Sequence, residues 1–387
     1  MFRTAHTRTV ALAVALAAAA PLVPAQTTWV VNPAGGPGVD FTSLQAAVAS
    51  PSVVDGDTVL VSAPPTSPSE TIATVKGLTI VGVGAPPMPD VTVNGLPAGR
   101  ALRLVGFTRY EPDHFRVNLL LCAGSVHLED LHSIGPGGSS CCPVSIFGCD
   151  SVTMRDVSSY GDPVVSVTQS AATLVSCRLG YLGSTTLGGR AIFASQSVVD
   201  IVDPDFHPGF LPWPIEAFDS TLRISGDASS RIEGGPAGTT NPPAAVFTFG
   251  GSVTIDPAVT LVLPAGSAPV LGTGAFGFAP VPASWTLSAA TPGQALSIRS
   301  TAPAGAAVFQ AVGVPGPLTS TPLGSIGIDT AAPYGFFPPA IAPASGVVTN
   351  QLQLPAVLGP GQAFASQSVV WNGSALRVGA PVTFTTQ

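Results

Sequence analysis

From residue 58 onward, apolar and polar positions alternate in short runs that return in the same form. Ser125-Val126-His127-Leu128-Glu129-Asp130-Leu131 sets Val126 and Leu128 against His127 and Glu129, one apolar and one polar face on a strand whose side chains alternate. Ser151-Val152-Thr153-Met154-Arg155-Asp156-Val157 and Ala172-Thr173-Leu174-Val175-Ser176-Cys177 repeat it, and fainter copies stand at 197–201, 221–224 and 252–255. Spacing between copies varies from about 20 to about 31 residues, which suits a β-solenoid whose turns carry loops of unequal length. One copy is too short to bury its apolar face. Stacked copies share a continuous interior and pair every backbone group except at the two ends.

Before these repeats, Trp29-Val30-Val31-Asn32 reads as a strand, and Phe41, Leu44 and Val48 fall on one helical face. Thr42 followed by Gln45 reads as a capping box, so a short helix near 42–49 is expected to plug the first open end. Asp55-Gly56-Asp57 then turns into the strand Thr58-Val59-Leu60-Val61. Residues 269–282, with Gly272, Gly274 and Gly277, read as a linker. Beyond it, strand-like runs at Trp285–Leu287, Ala295–Ile298, Ala307–Phe309 and Ser366–Trp371, separated by Pro-Gly and Asn-Gly turns, predict a β-sandwich over 283–387. The expected fold is all-β: a parallel β-helix over 26–268, then the sandwich.

Composition narrows the class. Charged residues are 9% of the 387, against about 25% in typical soluble domains, and the net charge is −7. Lys76 is the sole lysine, so no basic face exists for nucleic acid. Arg3, His6 and Arg8 precede the apolar run Val10–Ala20, and Val23-Pro24-Ala25 has the small-x-small pattern of a cleavage site. Residues 1–25 are therefore expected to be a signal peptide, with Gln26 the mature N-terminus. The run falls short of the ~20 residues that span a bilayer, and no later run approaches that length. The mature chain is expected to be secreted or held at the cell surface, without a membrane span, as a monomer. Cys122, Cys141, Cys142, Cys149 and Cys177 leave at least one thiol unpaired. A local disulfide from Cys149 to Cys141 or Cys142 is expected, with Cys177 at an inward repeat position.

Asp40–Val48, Asp55–Val61 and Lys76-Gly77-Leu78-Thr79-Ile80-Val81-Gly82 together resemble the opening of pectin-lyase-like right-handed parallel β-helix proteins: a helical cap and the first rungs. The resemblance covers residues 29–265 and implies a right-handed coil. For pectate-lyase relatives it implies acids holding Ca²⁺ and a Lys or Arg base, and for polygalacturonase relatives closely spaced Asp with a nearby His. The chain has no Asp-Asp pair and no Asn-x-Asp, and Lys76 lies in an early rung, so it departs from both patterns. The C-terminal part resembles an all-β module that closes many secreted proteins of environmental bacteria. With Asp329, Arg299 and Arg377 as its sole charged groups and no His, it is poorly equipped for acid–base chemistry.

Asp130 and Asp156 share a repeat position with Ser176, which reads as a turn position bonding along the stack rather than a cation site. Two other segments concentrate acids, imidazole and rings and are expected to project from the wall: Arg109–Arg116 and Asp203–Trp213. Candidate acid/base or cation-binding groups are Asp203, Asp205 and His207, with Glu111 and Asp113 opposite; Ca²⁺ is the cofactor to test. Tyr110, Phe210 and Trp213 are candidate ligand-binding rings, since aromatic faces cover the apolar side of a pyranose. The leading expectation is a non-catalytic β-helix protein whose partner is a polysaccharide. The alternatives are a polysaccharide lyase or glycoside hydrolase, and a purely structural surface protein.

Overall fold

The computed structural model describes residues 26–64, 70–110, 116–134, 143–160, 163–180, 190–207, 213–235, 242–287, 290–321 and 323–387; of residues 110, 134, 160, 317, 318, 320, 324 and 325 it describes the backbone alone. The expected signal peptide, Cys141, Cys142, Glu111, Asp113 and Phe210 lie outside the described residues. Two compact units meet in sequence at Val281 and Pro282.

The first unit is a parallel β-helix with three walls. Wall I is a nine-stranded sheet running from Thr71–Thr74 to Val270–Gly272. Wall II runs from Thr28–Val31 through the first halves of Ala101–Tyr110, Ser125–Ile134 and Ser151–Tyr160, then Ala171–Val175, Val198–Val202, Thr221–Ser225 and Ser252–Ile255, to Ala275–Phe278. Wall III comprises the second halves of those long strands, followed by Arg178–Gly180, Asp205–His207, Arg231–Glu233 and Thr260–Val262. Repeats align in parallel register, Val126 with Val152 and Leu128 with Met154, so these inward columns stay apolar from coil to coil. The core runs continuously from Val31 to Val259.

The corner between walls II and III is a single left-handed residue: Gly106, Asp130, Asp156, Ser176 and Asp203, with φ between 49° and 77°. This puts Asp130, Asp156 and Ser176 at one structural position, as their spacing indicates. A left-handed L-residue is sterically costly, and a short polar side chain that bonds locally tolerates it best. The corner between walls I and II is also left-handed, at Leu121, Gly148, Gln169, Gln196, Asp219 and Gly250. Just past it a buried column carries hydroxyls: the Cys149 amide donates to Ser170 Oγ at 2.9 Å, Ser170 to Ser197 Oγ at 3.2 Å, and Ser197 to Ser220 Oγ at 3.1 Å. Cys122 and Cys149 begin that column as buried free thiols that donate to the Leu120 and Phe147 carbonyls. Cys149 is therefore a free core thiol and not a partner in the expected local disulfide. Cys177 is buried inside the helix, as its repeat position indicates.

The cap differs in detail from expectation. The helix is Leu44–Ala49, and its N-cap is Ser43 rather than Thr42. Gln45 does not reach back to the cap; its Oε1 accepts from the Ala73 amide. Glu70 instead takes the free amides of Leu44 and Gln45 and the Ser43 hydroxyl. At the other end the Lys76 ammonium donates to the carbonyls of Val48, Ser50 and Val53 at 2.8, 2.7 and 2.8 Å. A carboxylate at the helix start and an ammonium at its end match the ends of the helix dipole. The sole lysine is thus a structural clamp.

Residues 269–282 are not a linker. Val270–Gly272 pairs with Val246–Thr248, and Ala275–Phe278 pairs with Ser252–Ile255, so they form the last coil. Two of the glycines that suggested a linker are there for close approach: a Cβ on Gly272 would stand 1.7 Å from the Thr248 carbonyl oxygen, and one on Gly274 would stand 2.5 Å from that of Gly250.

The second unit is antiparallel. Ala283–Thr286, Ala295–Thr301 and Val347–Gln353 form one sheet, and Ala307–Gly313 and Ala363–Trp371 centre another. Leu296, Ile298 and Leu352 of the first share a core with Val312 and Phe384 of the second, which makes a small sandwich.

Candidate functional site

Outward side chains of neighbouring coils stand about 4.8 Å apart, so chemistry here is organised in columns. On wall III one column passes through Ser158, Arg178, Asp205 and Arg231, and the next through Gly180, His207 and Glu233. Asp205 and His207 therefore lie in a strand of the wall and not in a projecting loop. The Asp-Pro-Asp run that suggests a loop is a one-residue corner followed by a strand.

These groups neutralise one another. Arg178 Nε donates to Asp205 Oδ2 at 2.8 Å, and Arg231 donates to Glu233 Oε2 at 3.1 Å. His207 presents Nε2 to Asp205 Oδ1 at 2.8 Å and Nδ1 to Glu233 Oε2 at 3.0 Å. Each carboxylate already faces a guanidinium and the imidazole. Asp203 does not join them. At its corner it accepts from the hydroxyls of Ser176 at 2.9 Å and Ser230 at 2.8 Å. The expected trio is thus divided between a corner ladder and a surface ion-pair ladder. Among the described residues, no three His, Cys, Asp or Glu side chains are grouped to hold a metal ion.

Wall II carries buried charge on its outward face. Glu129 and Arg155 are 2% and 1% exposed and form an ion pair, with Arg155 also donating to Asp156 Oδ2 at 3.0 Å. Burial opposes the Arg155 charge, but Glu129 and Asp156 more than compensate and hold its proton more tightly than usual. The Asp156 carboxyl is pushed up by burial, against Arg155 and with the help of Asp130. Asp200 is likewise raised by burial despite its bidentate bond to Arg223. His127 is pushed well below its usual value by burial and by Arg103.

Wall I carries the feature that sequence reasoning missed. Parallel register sets Phe193, Glu216 and Phe247 in one outward column and Ser195, Phe218 and Phe249 in the next. The rings make a continuous path: Phe193 to Phe218 at 5.7 Å and Phe218 to Phe249 at 6.3 Å between centroids. Trp213, one of the expected ligand-binding rings, stacks on Phe247 at 4.7 Å with 22° between planes. Phe147, two coils before Phe193, is 41% exposed, and Phe249 is 56% exposed. Arg190 lies 5.7 Å over the Phe193 ring and is ion-paired with Glu216. The arrangement is a strip of tilted rings with one charged pair at its side. Tyr110 has no described side chain, so this strip rests on Trp213 alone of the expected rings.

No protein-family model matches the chain, and no curated protein matches it.

Proposed function

We propose that this chain is an exported β-helix protein, akin to the pectin-lyase-like proteins, that binds a polysaccharide along wall I without cleaving its glycosidic bonds. The observation that carries this reading is the strip of Phe193, Phe218, Phe249, Phe247 and Trp213 across three successive coils. Rings aligned at strand spacing can cover the apolar faces of successive sugar units, and Glu216 and Arg190 supply acceptors and donors to the hydroxyls beside them. Glycosidic hydrolysis asks for two carboxylates about 5–10 Å apart with one able to give a proton. On wall III the carboxylates are instead tied to Arg178, Arg231 and His207. The Ca²⁺ route has no support from the placement of Asp203, whose oxygens hold corner hydroxyls. No helix of the described chain is long and apolar enough to cross a membrane.

The test is affinity electrophoresis through gels containing single neutral and acidic polysaccharides, with product analysis of each. Retention on at least one glycan without released oligosaccharide is expected. Trp213→Ala and Phe249→Ala should each weaken it by about tenfold, as loss of a stacking ring worth ~1.4 kcal/mol. Released oligosaccharide, or retention unchanged in both variants, would overturn the proposal.

A further inference from the structure

Among the outward ladders of wall III, one differs in chemistry from its neighbours. His132 Nε2 meets Asp130 Oδ1 at 2.8 Å, and His132 Nδ1 meets Ser158 Oγ at 2.8 Å. His207 holds a carboxylate on each nitrogen, whereas His132 holds a carboxylate on one and a hydroxyl on the other. A carboxylate can only accept, so Nε2–H donates to Asp130, and Nδ1 is left as the acceptor of the serine hydroxyl. Register produces this arrangement from three positions of two coils. Asp130 is the left-handed corner, His132 stands two residues on, and Ser158 is the residue aligned with His132 in the next coil. Half-exposed His132 and Asp130, at 39% and 36%, leave the group open to solutes.

We infer that Asp130, His132 and Ser158 form a nucleophilic serine site that cleaves carboxylic esters of small acyl groups. The roles follow from the bonds. The Ser158 O–H bond breaks, its proton passes to His132 Nδ1, and Oγ bonds to the acyl carbon. The tetrahedral adduct collapses by breaking the bond to the alcohol oxygen, which takes the proton from Nδ1. Water then attacks the acyl-serine, gives a proton to Nδ1, and releases the acid as Oγ recovers its hydrogen. Asp130 is a positioning residue that holds the Nε2–H tautomer. Backbone amides of the strand are committed to the parallel ladder on both sides, so the oxyanion must be met by a side chain. Arg178, aligned with Ser158 in the following coil and bonded through Nε to Asp205, is the adjacent guanidinium of that column and takes this role. The site lies on an open wall with polar Thr108 and Arg178 in its column, which favours a short acyl group over a long apolar one. The reading is independent of glycan binding on wall I.

The test treats the full chain with a fluorophosphonate probe, maps the adduct by mass spectrometry, and follows p-nitrophenyl acetate turnover in parallel. A single adduct on the peptide containing Ser158 is expected. Ser158→Ala should abolish it and His132→Gln should slow it at least tenfold, with melting temperatures unchanged. Asp130→Asn should slow labelling and shift its pH midpoint, which a purely structural corner would not do. Ser158→Cys keeps the shape and should make that position reactive to iodoacetamide. No adduct at Ser158 in a chain of native melting temperature, or equal labelling of His132→Gln, would overturn the inference.

Discussion

Replacing Lys76 by methionine tests how the open end of the solenoid is held. The methylenes of the side chain are kept, and three charge-assisted bonds to the Val48, Ser50 and Val53 carbonyls are lost. A hydrogen bond to a charged group contributes about 1.5–3 kcal/mol. Three such bonds on one ammonium are not additive, and holding the lysine in one rotamer costs up to ~2 kcal/mol of side-chain entropy. A net loss of about 2–4 kcal/mol follows, placed at the cap because each coil of a solenoid contacts only its neighbours. The assay is native-state hydrogen exchange read by peptide. Lys76→Met should lower protection over Leu44–Ala49 and Thr58–Val61 while Ile192–Ser195 and Val246–Phe249 keep theirs. Lys76→Arg should recover only part, because a planar fork cannot aim three donors at one small triangle of carbonyls. A loss below about 0.5 kcal/mol, or an equal loss in every coil, would refute the clamp.

Other consequences follow from the buried groups. Glu129→Gln removes one of the two carboxylates that hold the buried Arg155 and should cost about 3–5 kcal/mol in urea unfolding, with most of it recovered in Glu129→Met/Arg155→Met. Burial raises the Asp156 carboxyl, so between its unfolded value near ~3.9 and the raised native value the folded chain holds the extra proton. Its contribution to stability is therefore full below the unfolded value and is lost as pH rises through the native one; Asp156→Asn should flatten that part of the stability profile. Burial pushes the Cys177 thiol up to about 12, so iodoacetamide should leave Cys177 unmodified in the native chain and label it after unfolding in guanidinium.

The β-helix was legible because wall II repeats itself: Val126/Leu128 and Val152/Met154 stand out against their polar neighbours, and the corner Asp and Ser align by count. Wall I was not legible. Its strands, such as Val144–Phe147 and Ile192–Ser195, are four residues long, and loops of different length separate them. Phe193, Phe218 and Phe249 therefore recur at no fixed interval, and only parallel register brings their rings together. Asp205 and His207 read as loop residues because prolines and acids surround them, yet the chain resumes a strand one residue after Pro204. The triad of Asp130, His132 and Ser158 left a faint signal, since the position of His132 in one repeat is that of Ser158 in the next. The last coil read as a linker because Gly272 and Gly274 answer to backbone oxygens of the preceding coil rather than to a turn.

The central claim is that wall I is the glycan-binding face. Hydrogen exchange of the chain with and without a polysaccharide that retains it in gels tests this most directly. The account predicts added protection over Ile192–Ser195, Ile215–Phe218 and Val246–Phe249, the strands that carry the rings. Protection confined to Pro282–Gln387, or to Asp205–His207 and Arg231–Glu233 of wall III, would contradict it.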